Sequence, residues 1–189
     1  MVRMALAALL MSALAGVNST VRVKSIDRGG DVDPFDAPRG TRAIVFVFTS
    51  TDCPISNRYA PEIRRLAARF AADGIIFRLI YPNPSDQPSA IREHLTAFAY
   101  GGVVQAFHDP EQTLAKFAGA TVTPETAVYA GRRLLYRGRI DDRYVDLGHE
   151  RPAATVHDLG DALTAIVAGQ RVPHSSTQAV GCFISDFRR

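Results

Sequence analysis

Residues 43–70 read AIVFVFTSTDCPISNRYAPEIRRLAARF, and the rest of the chain is best understood outward from them. Residues 43–48 are an unbroken run of apolar, mostly β-branched and aromatic side chains, the pattern of a strand buried on both faces of a sheet. Thr49, Ser50, Thr51 and Asp52 end the run with polar, turn-forming residues. Pro54 suits the first position of a helix, where its missing N–H is not needed. Ile55, Tyr59, Ile63, Leu66 and Phe70 follow at helical spacing until Asp73-Gly74 closes the helix. Cys53 therefore stands where a buried strand hands over to a helix. Free N–H groups and the positive dipole end of a helix stabilise a thiolate there, drawing the thiol pKa below its free value of about 8.5.

Downstream, residues 75–81 (IIFRLIY) form a second buried strand, and the turn PNPS at 82–85 leads to a helix over about 89–100, an alternation of βαβ type. A short strand at 103–107, a turn at Asp109-Pro110 and a small helix at 111–118 come next. Residues 126–129 and 134–140 are strands joined by Ala130-Gly131-Arg132-Arg133, a link short enough to force an antiparallel hairpin. A loop over 141–152 precedes a last helix at 155–168, with Thr155 and Asp158 at capping-box positions. Upstream, residues 17–42 are rich in Asp, Gly, Pro and Arg. They read as a lead-in outside the core, with one short alternating stretch at 21–26 for an edge strand. The tail, 169–189, lacks periodicity but carries an apolar patch, AVGCFI at 179–184, around Cys182. There is no internal repeat and no low-complexity block.

A strand that delivers a cysteine to a helix start, followed by a βα segment, a hairpin and a closing helix, resembles the thioredoxin-like superfamily. Cys53-Pro54-Ile55-Ser56 stands where thioredoxins carry Cys-x-x-Cys. Pro61 falls eight residues on, where thioredoxins have the proline that bends this helix. Thr123-Pro124 resembles the cis-proline loop that faces the active-site cysteine. The long segment between Gly74 and Thr123 is similar to the insertion of the redoxin branch, the alkyl hydroperoxide reductase/thiol-specific antioxidant-like proteins, and of cytochrome-maturation thioredoxins. The resemblance covers residues 43–168 and implies an α/β thioredoxin-like fold, a central mixed sheet flanked by helices with a redoxin-type insertion. Two departures stand out. Ser56 replaces the second cysteine, which closes the usual dithiol cycle within one motif. Of the peroxiredoxin motif Pro-x-x-x-Thr/Ser-x-x-Cys, Ser50 and Cys53 are present but Phe46 occupies the proline position.

The chemistry expected is that of a thiol-dependent oxidoreductase, by thiol–disulfide exchange or hydroperoxide reduction, with Cys53 as nucleophile. Ser56, one turn on, is either a donor to the thiolate or a local cap. Asp52 reads as an N-cap or loop residue, since a carboxylate pointing inward would raise the thiol pKa. The hairpin returns Arg139, Asp141, Asp142 and Arg143 towards the same end of the sheet. Arg139 or Arg143 would supply positive charge to Cys53, or the group is a loop of surface ion pairs. The backbone of Thr123 beside Pro124, together with Ser50, would receive substrate. Cys182 lies fourteen residues beyond Ala168, a reach of up to roughly 45 Å against a closing helix of about 21 Å, so it is able to return to Cys53 as a resolving thiol. A buried inert cysteine, an intermolecular bridge and a soft metal ligand are its other readings. An alternative of a different class is a non-catalytic module that binds a partner protein or, as in Sco-type copper chaperones, Cu(I). Cys53 and Cys182 with one of His108, His149 or His157 would suit that ion, although no spacing demands a metal site. No cofactor is implied. Partners would be a disulfide or hydroperoxide and an external thiol reductant, and a homodimer is compatible with either reading.

A length of 189 residues suits one domain. With 47% hydrophobic and 22% charged residues, the chain is neither a disordered polymer nor a membrane-embedded bundle. The net charge of +3 is scattered and gives no argument for nucleic acid. Gly29-Gly30 and Gly101-Gly102 are isolated pairs without a phosphate-loop pattern, so nucleotide binding has no support. Met1-Val2-Arg3, an apolar run over 4–14 and small residues at Ala13 and Ala15 read as a signal peptide, residues 1–15. That run is too short to span a bilayer; the other reading is a frayed first helix. Export to the periplasm or the extracellular space would place both cysteines where disulfides persist. The expected organisation is thus a leader at 1–15, a lead-in at 16–42, a redoxin domain at 43–168 and a tail at 169–189.

Overall fold

Strand Ala43–Phe48 is buried on both faces along its whole length, and the computed structural model, which describes residues 21–184, is layered about it. In chain order the elements are β1 (Val23–Ser25), β2 (Asp31–Val32), β3 (Ala43–Phe48), α1 (Pro54–Phe70), β4 (Ile75–Tyr81), α2 (Pro88–Ala97), β5 (Gln105–His108), α3 (Thr113–Ala118), β6 (Val122–Thr123), β7 (Glu125–Ala130), β8 (Arg133–Gly138), β9 (Tyr144–Asp146), β10 (His149–Glu150), α4 (Asp158–Val167) and β11 (Cys182–Phe183). Seven strands form one mixed sheet in the order β2-β1-β5-β4-β3-β7-β8. Strands β3, β4 and β5 run parallel, and β7 and β8 return antiparallel as the expected hairpin.

Alternation along β3 sends its side chains into two cores. Val45 and Val47 meet Tyr59, Ile63, Leu66 and Phe70 of α1 and Leu159 and Leu163 of α4. Ile44, Phe46 and Phe48 meet Leu114 and Ala118 of α3 on the other face. Pro61 lies inside α1. The sheet is therefore flanked by helices, and the C-terminal ends of β3 and β4 open onto one common edge.

Three expectations are corrected. The stretch at 21–26 is not a lead-in at the sheet margin: β1 lies between β2 and β5, and Val21, Val23 and Ile26 are buried in the cores. Arg78 of β4 fixes the following loop from beneath, donating to the carbonyl oxygens of Pro34 and of Asp36, the latter at 2.6 Å. The last helix begins at Asp158, and Thr155 does not cap it. Asp142 takes the Thr155 N–H and Oγ1 at 2.6 Å each and the Val156 N–H at 2.9 Å, so the Thr155 hydroxyl is already engaged. The loop at 141–152 contains the small hairpin β9–β10. The expected leader, residues 1–15, lies outside the described residues.

The tail is built into the fold. Residues 175–177 run parallel to the end of β8, with the Arg137 N–H donating to Ser175 O and the Thr177 N–H to Arg137 O, both at 3.0 Å. Further on, β11 pairs antiparallel with β6, Cys182 opposite Thr123 and Phe183 opposite Val122. Both contacts depend on absent side chains. A Cβ at Gly138 would stand 2.3 Å from Thr177 O, and one at Gly181 would stand 2.2 Å from Thr123 O.

Asp109 organises the turn before α3. Its buried carboxylate accepts the N–H groups of Thr113, Leu114 and Ala115 at 2.8, 3.0 and 2.9 Å. Asp109→Ala strips two buried N–H donors and a half-buried one of their acceptor and is expected to destabilise the fold by about 2 kcal/mol, read as a lower urea midpoint with unchanged slope.

Candidate active site at a cysteine pair

Cys53 is itself the N-cap of α1. Its backbone is extended (φ −81°, ψ 109°), and its Sγ accepts a hydrogen bond from the Ser56 N–H at 3.5 Å. The sulfur thus takes the place a serine or aspartate oxygen usually fills. Asp52 is not the cap: its carboxylate accepts the Ser50 hydroxyl at 2.5 Å. The first turn of α1 holds no acidic residue, so nothing within it opposes a negative sulfur.

Across from this helix start lies the Thr123-Pro124 peptide, which is cis. Thr123 O accepts the Cys53 thiol at 3.0 Å. The β6–β11 pairing then brings Cys182 Sγ to 2.9 Å from Cys53 Sγ, with both cysteines free. Three distant segments, at 53, 123 and 182, thus converge on one sulfur that is only 1% exposed.

The two thiols are polarised in opposite senses. Burial raises the Cys53 pKa, but hydrogen bonding from Cys182, from the side chain and N–H of Ser56 and from Thr123 outweighs it, and the net shift is downward. Cys182 is pushed up to about 12 by burial, by its hydrogen bond to Cys53 and by the charges of Cys53 and Asp52. In the dithiol form the Cys53 proton serves Thr123 O; once one proton has left the pair, Cys53 is the thiolate and Cys182 the donor to it. Ser56 acts on the sulfur through both its side chain and its N–H, although its buried Oγ lies short of hydrogen-bond geometry with any partner among the described residues.

A cavity of about 360 Å³ opens beside the sulfurs, lined in part by Ser50, Asp52, Cys53, Pro82, Thr123 and Cys182. Ser50 Oγ is shared between Asp52 at 2.5 Å and Asp86 at 3.4 Å. Asp86, which also accepts the Thr51 hydroxyl, has its pKa raised by burial and by Asp52. Sequence reasoning missed Asp86. The signal was topological: loops that leave the C-terminal ends of adjacent parallel strands share one crevice, and Asp86 is on the loop after β4 as Cys53 is on the loop after β3.

Arg139 and Arg143 do not line that cavity, and neither acts on Cys53. Arg139 Nε is held by Asp158 at 2.7 Å, and the Arg143 N–H donates to Asp141 at 2.9 Å. Their end of the hairpin is drawn to α4 and to the Asp141 loop. None of the three histidines lines the cavity: His149 is beside Asp146 at 2.5 Å, His108 stands behind the lining residue Asn83, beside its O at 3.2 Å, and His157 precedes α4. Among the described residues no group of three or more His, Cys, Asp or Glu is arranged to hold a metal ion, so the Cu(I) set of two cysteines and a histidine is not assembled.

No family model and no curated protein matches the chain. Solved structures do. An uncharacterized conserved protein from Geobacillus kaustophilus is 25% identical, covers 89% of each chain and superposes with a TM-score of 0.76. A hypothetical protein from Sinorhizobium meliloti is 25% identical, with 87% of this chain and 89% of that chain covered and a TM-score of 0.73. A secreted Mycobacterium tuberculosis disulfide oxidoreductase homologous to E. coli DsbE is 16% identical, with 79% and 96% covered and a TM-score of 0.52. The chain has the thioredoxin-like fold, a mixed sheet flanked by helices.

Alkylation of reduced protein by iodoacetamide, followed peptide by peptide, is expected to modify Cys53 with a pH midpoint below the value of about 8.5 for a free thiol. Cys182 reacts only in far stronger alkali. Cys182→Ala removes a donor to the thiolate and moves the Cys53 midpoint upward. An unmoved midpoint would show that the Cys182 hydrogen bond does not act on Cys53.

Proposed function

We propose that this protein is a thiol–disulfide oxidoreductase of the redoxin branch, with Cys53 as nucleophile and Cys182 as resolving thiol. The observation that carries this reading is the 2.9 Å approach of two oppositely polarised thiols at a helix start. The likeness to a secreted disulfide oxidoreductase is consistent with it.

The Cys53 thiolate attacks one sulfur of a substrate disulfide, forms a mixed disulfide and expels the other sulfur as a thiolate, which takes a proton from water. Cys182 then attacks Cys53 Sγ, losing its proton as it does so; the Cys53–Cys182 bond forms and the second substrate sulfur departs as a thiol with that proton. The substrate gains two electrons and the protein loses two, which an external thiol reductant restores. A hydroperoxide would yield the same disulfide through a sulfenic acid, releasing an alcohol and then water. Phe46 in place of the peroxiredoxin proline favours disulfide exchange. Ser56 supplies the N–H that holds the thiolate, Thr123 and Ser50 flank the approach of substrate, and Arg139 ties the end of β8 to α4 through Asp158. On this reading residues 43–168 are the redoxin domain, the tail is a working part of the site, and residues 1–15 are a leader for export, in keeping with a secreted relative in fold.

Reduced protein treated with a stoichiometric disulfide oxidant is expected to lose two hydrogens and to give one peptide pair joined through Cys53 and Cys182. Cys182→Ser stops at a mixed disulfide on Cys53. It slows multiple turnover by about tenfold or more when external thiol is kept well below millimolar, because the intramolecular thiol acts at an effective concentration of that order or higher. Cys53→Ser is inert. Two wild-type cysteines that both ignore the oxidant would end this reading.

A further inference from the structure

The tail that carries Cys182 is fastened at one point and lightly laid down at another. Around Thr177 it is anchored: the Tyr136 hydroxyl bonds Thr177 Oγ1 at 2.7 Å, the Arg139 N–H donates to the same oxygen at 3.2 Å, and the backbone pairs with Arg137 on both sides. Beyond residues 178–181, β11 is two residues long and Phe183 is 79% exposed. What holds it is its pairing with β6, the Ile184 N–H to Thr121 O at 2.9 Å, a weak contact of Thr123 Oγ1 with Cys182 O at 3.4 Å, the contact of the two sulfurs, and the packing of Val180, Cys182 and Ile184 against the cores, each of them only partly buried. Segments with few buried contacts and exposed backbone pairing open locally at low cost.

That light strand occupies two places which a polypeptide disulfide needs. Cys182 Sγ fills the position next to Cys53 that a substrate sulfur must reach, and β11 takes the Val122–Thr123 backbone edge beside Pro124. With β11 in place, Cys53 is 1% exposed.

We infer that β11 is a redox-latched gate: in the reduced protein it lifts from the Val122–Thr123 edge about residues 178–181, and an extended polypeptide carrying the substrate disulfide takes its place. This rests on the reading of Cys53 and Cys182 as a redox pair. After Cys53 has bonded to a substrate sulfur, the returning Cys182 breaks that bond, passes its proton to the leaving thiol and fastens β11 over the site. The oxidised protein is therefore closed to polypeptides until a reductant opens it.

Gly181 supplies the test, because a Cβ there meets Thr123 O at 2.2 Å and Pro124 N at 3.1 Å, while the Thr177 anchor is untouched. Cys182→Ser, which keeps the strand docked, is compared with the double variant Gly181→Val/Cys182→Ser, which cannot dock it. Reaction rates scale with the open fraction, so the double variant is expected to form the Cys53 mixed disulfide with insulin, and to be alkylated at Cys53 by iodoacetamide, about tenfold faster or more. Equal alkylation rates overturn the gate, whatever insulin does. Faster alkylation with no mixed disulfide leaves the gate standing and overturns the oxidoreductase reading instead. Hydrogen exchange in wild-type protein guards against a variant that fails to fold: the Ile184 amide should exchange faster when reduced than when oxidised, while Thr177 stays constant. Equal exchange at Ile184 in both states also overturns the gate.

Discussion

The structure turns on a sulfur atom used as a helix cap. Cys53 Sγ accepts the Ser56 N–H, faces Thr123 O and touches Cys182 Sγ, so the helix start and the β6–β11 pair all converge on that one atom. The position is fixed from below by β3, whose burial in two cores leaves its C-terminal end no freedom to shift. A cap must be electron-rich, and a buried sulfur must be hydrogen-bonded to stay so; the two demands are met by the same donors.

Those donors stand where many thiol sites place a cation. Burial alone would make Cys53 a poor thiolate, and its downward shift comes from hydrogen bonds with no contribution from a charged group. Hydrogen bonds from backbone and from the second thiol therefore carry the polarisation. The negative charge then bears on Cys182, whose proton is held more tightly as that of Cys53 is released. The pair behaves as one unit with a single easily lost proton.

The β3–α1 junction was readable in the sequence because burial on both faces leaves an unbroken apolar run, and a helix start leaves a proline. Thr123-Pro124 and the β7–β8 hairpin were readable for similar local reasons. The tail was not. A strand of two residues has no period, and its determinants, Gly138 and Gly181, matter only once the backbone of Thr177 and of Thr123 is known to lie against them. Arg139 shows the opposite failure: strand direction put it at the correct end of β8, yet Asp158, nineteen residues on, claims its side chain. The Thr155 cap failed in the same way, outcompeted by Asp142. Local pattern gave the elements; competition between distant polar partners decided which side chains reached the site.

The run of residues 175–177 along β8 has a meaning apart from chemistry. Strand β8 is the last in the sheet, and bare margins of this kind invite pairing between molecules. By satisfying the N–H and C=O of Arg137, the tail masks part of that margin. Shortening the chain to remove Cys182 would, if the cut fell before residue 175, also create an adhesive border, so aggregation of such a truncated form would say nothing about the thiol.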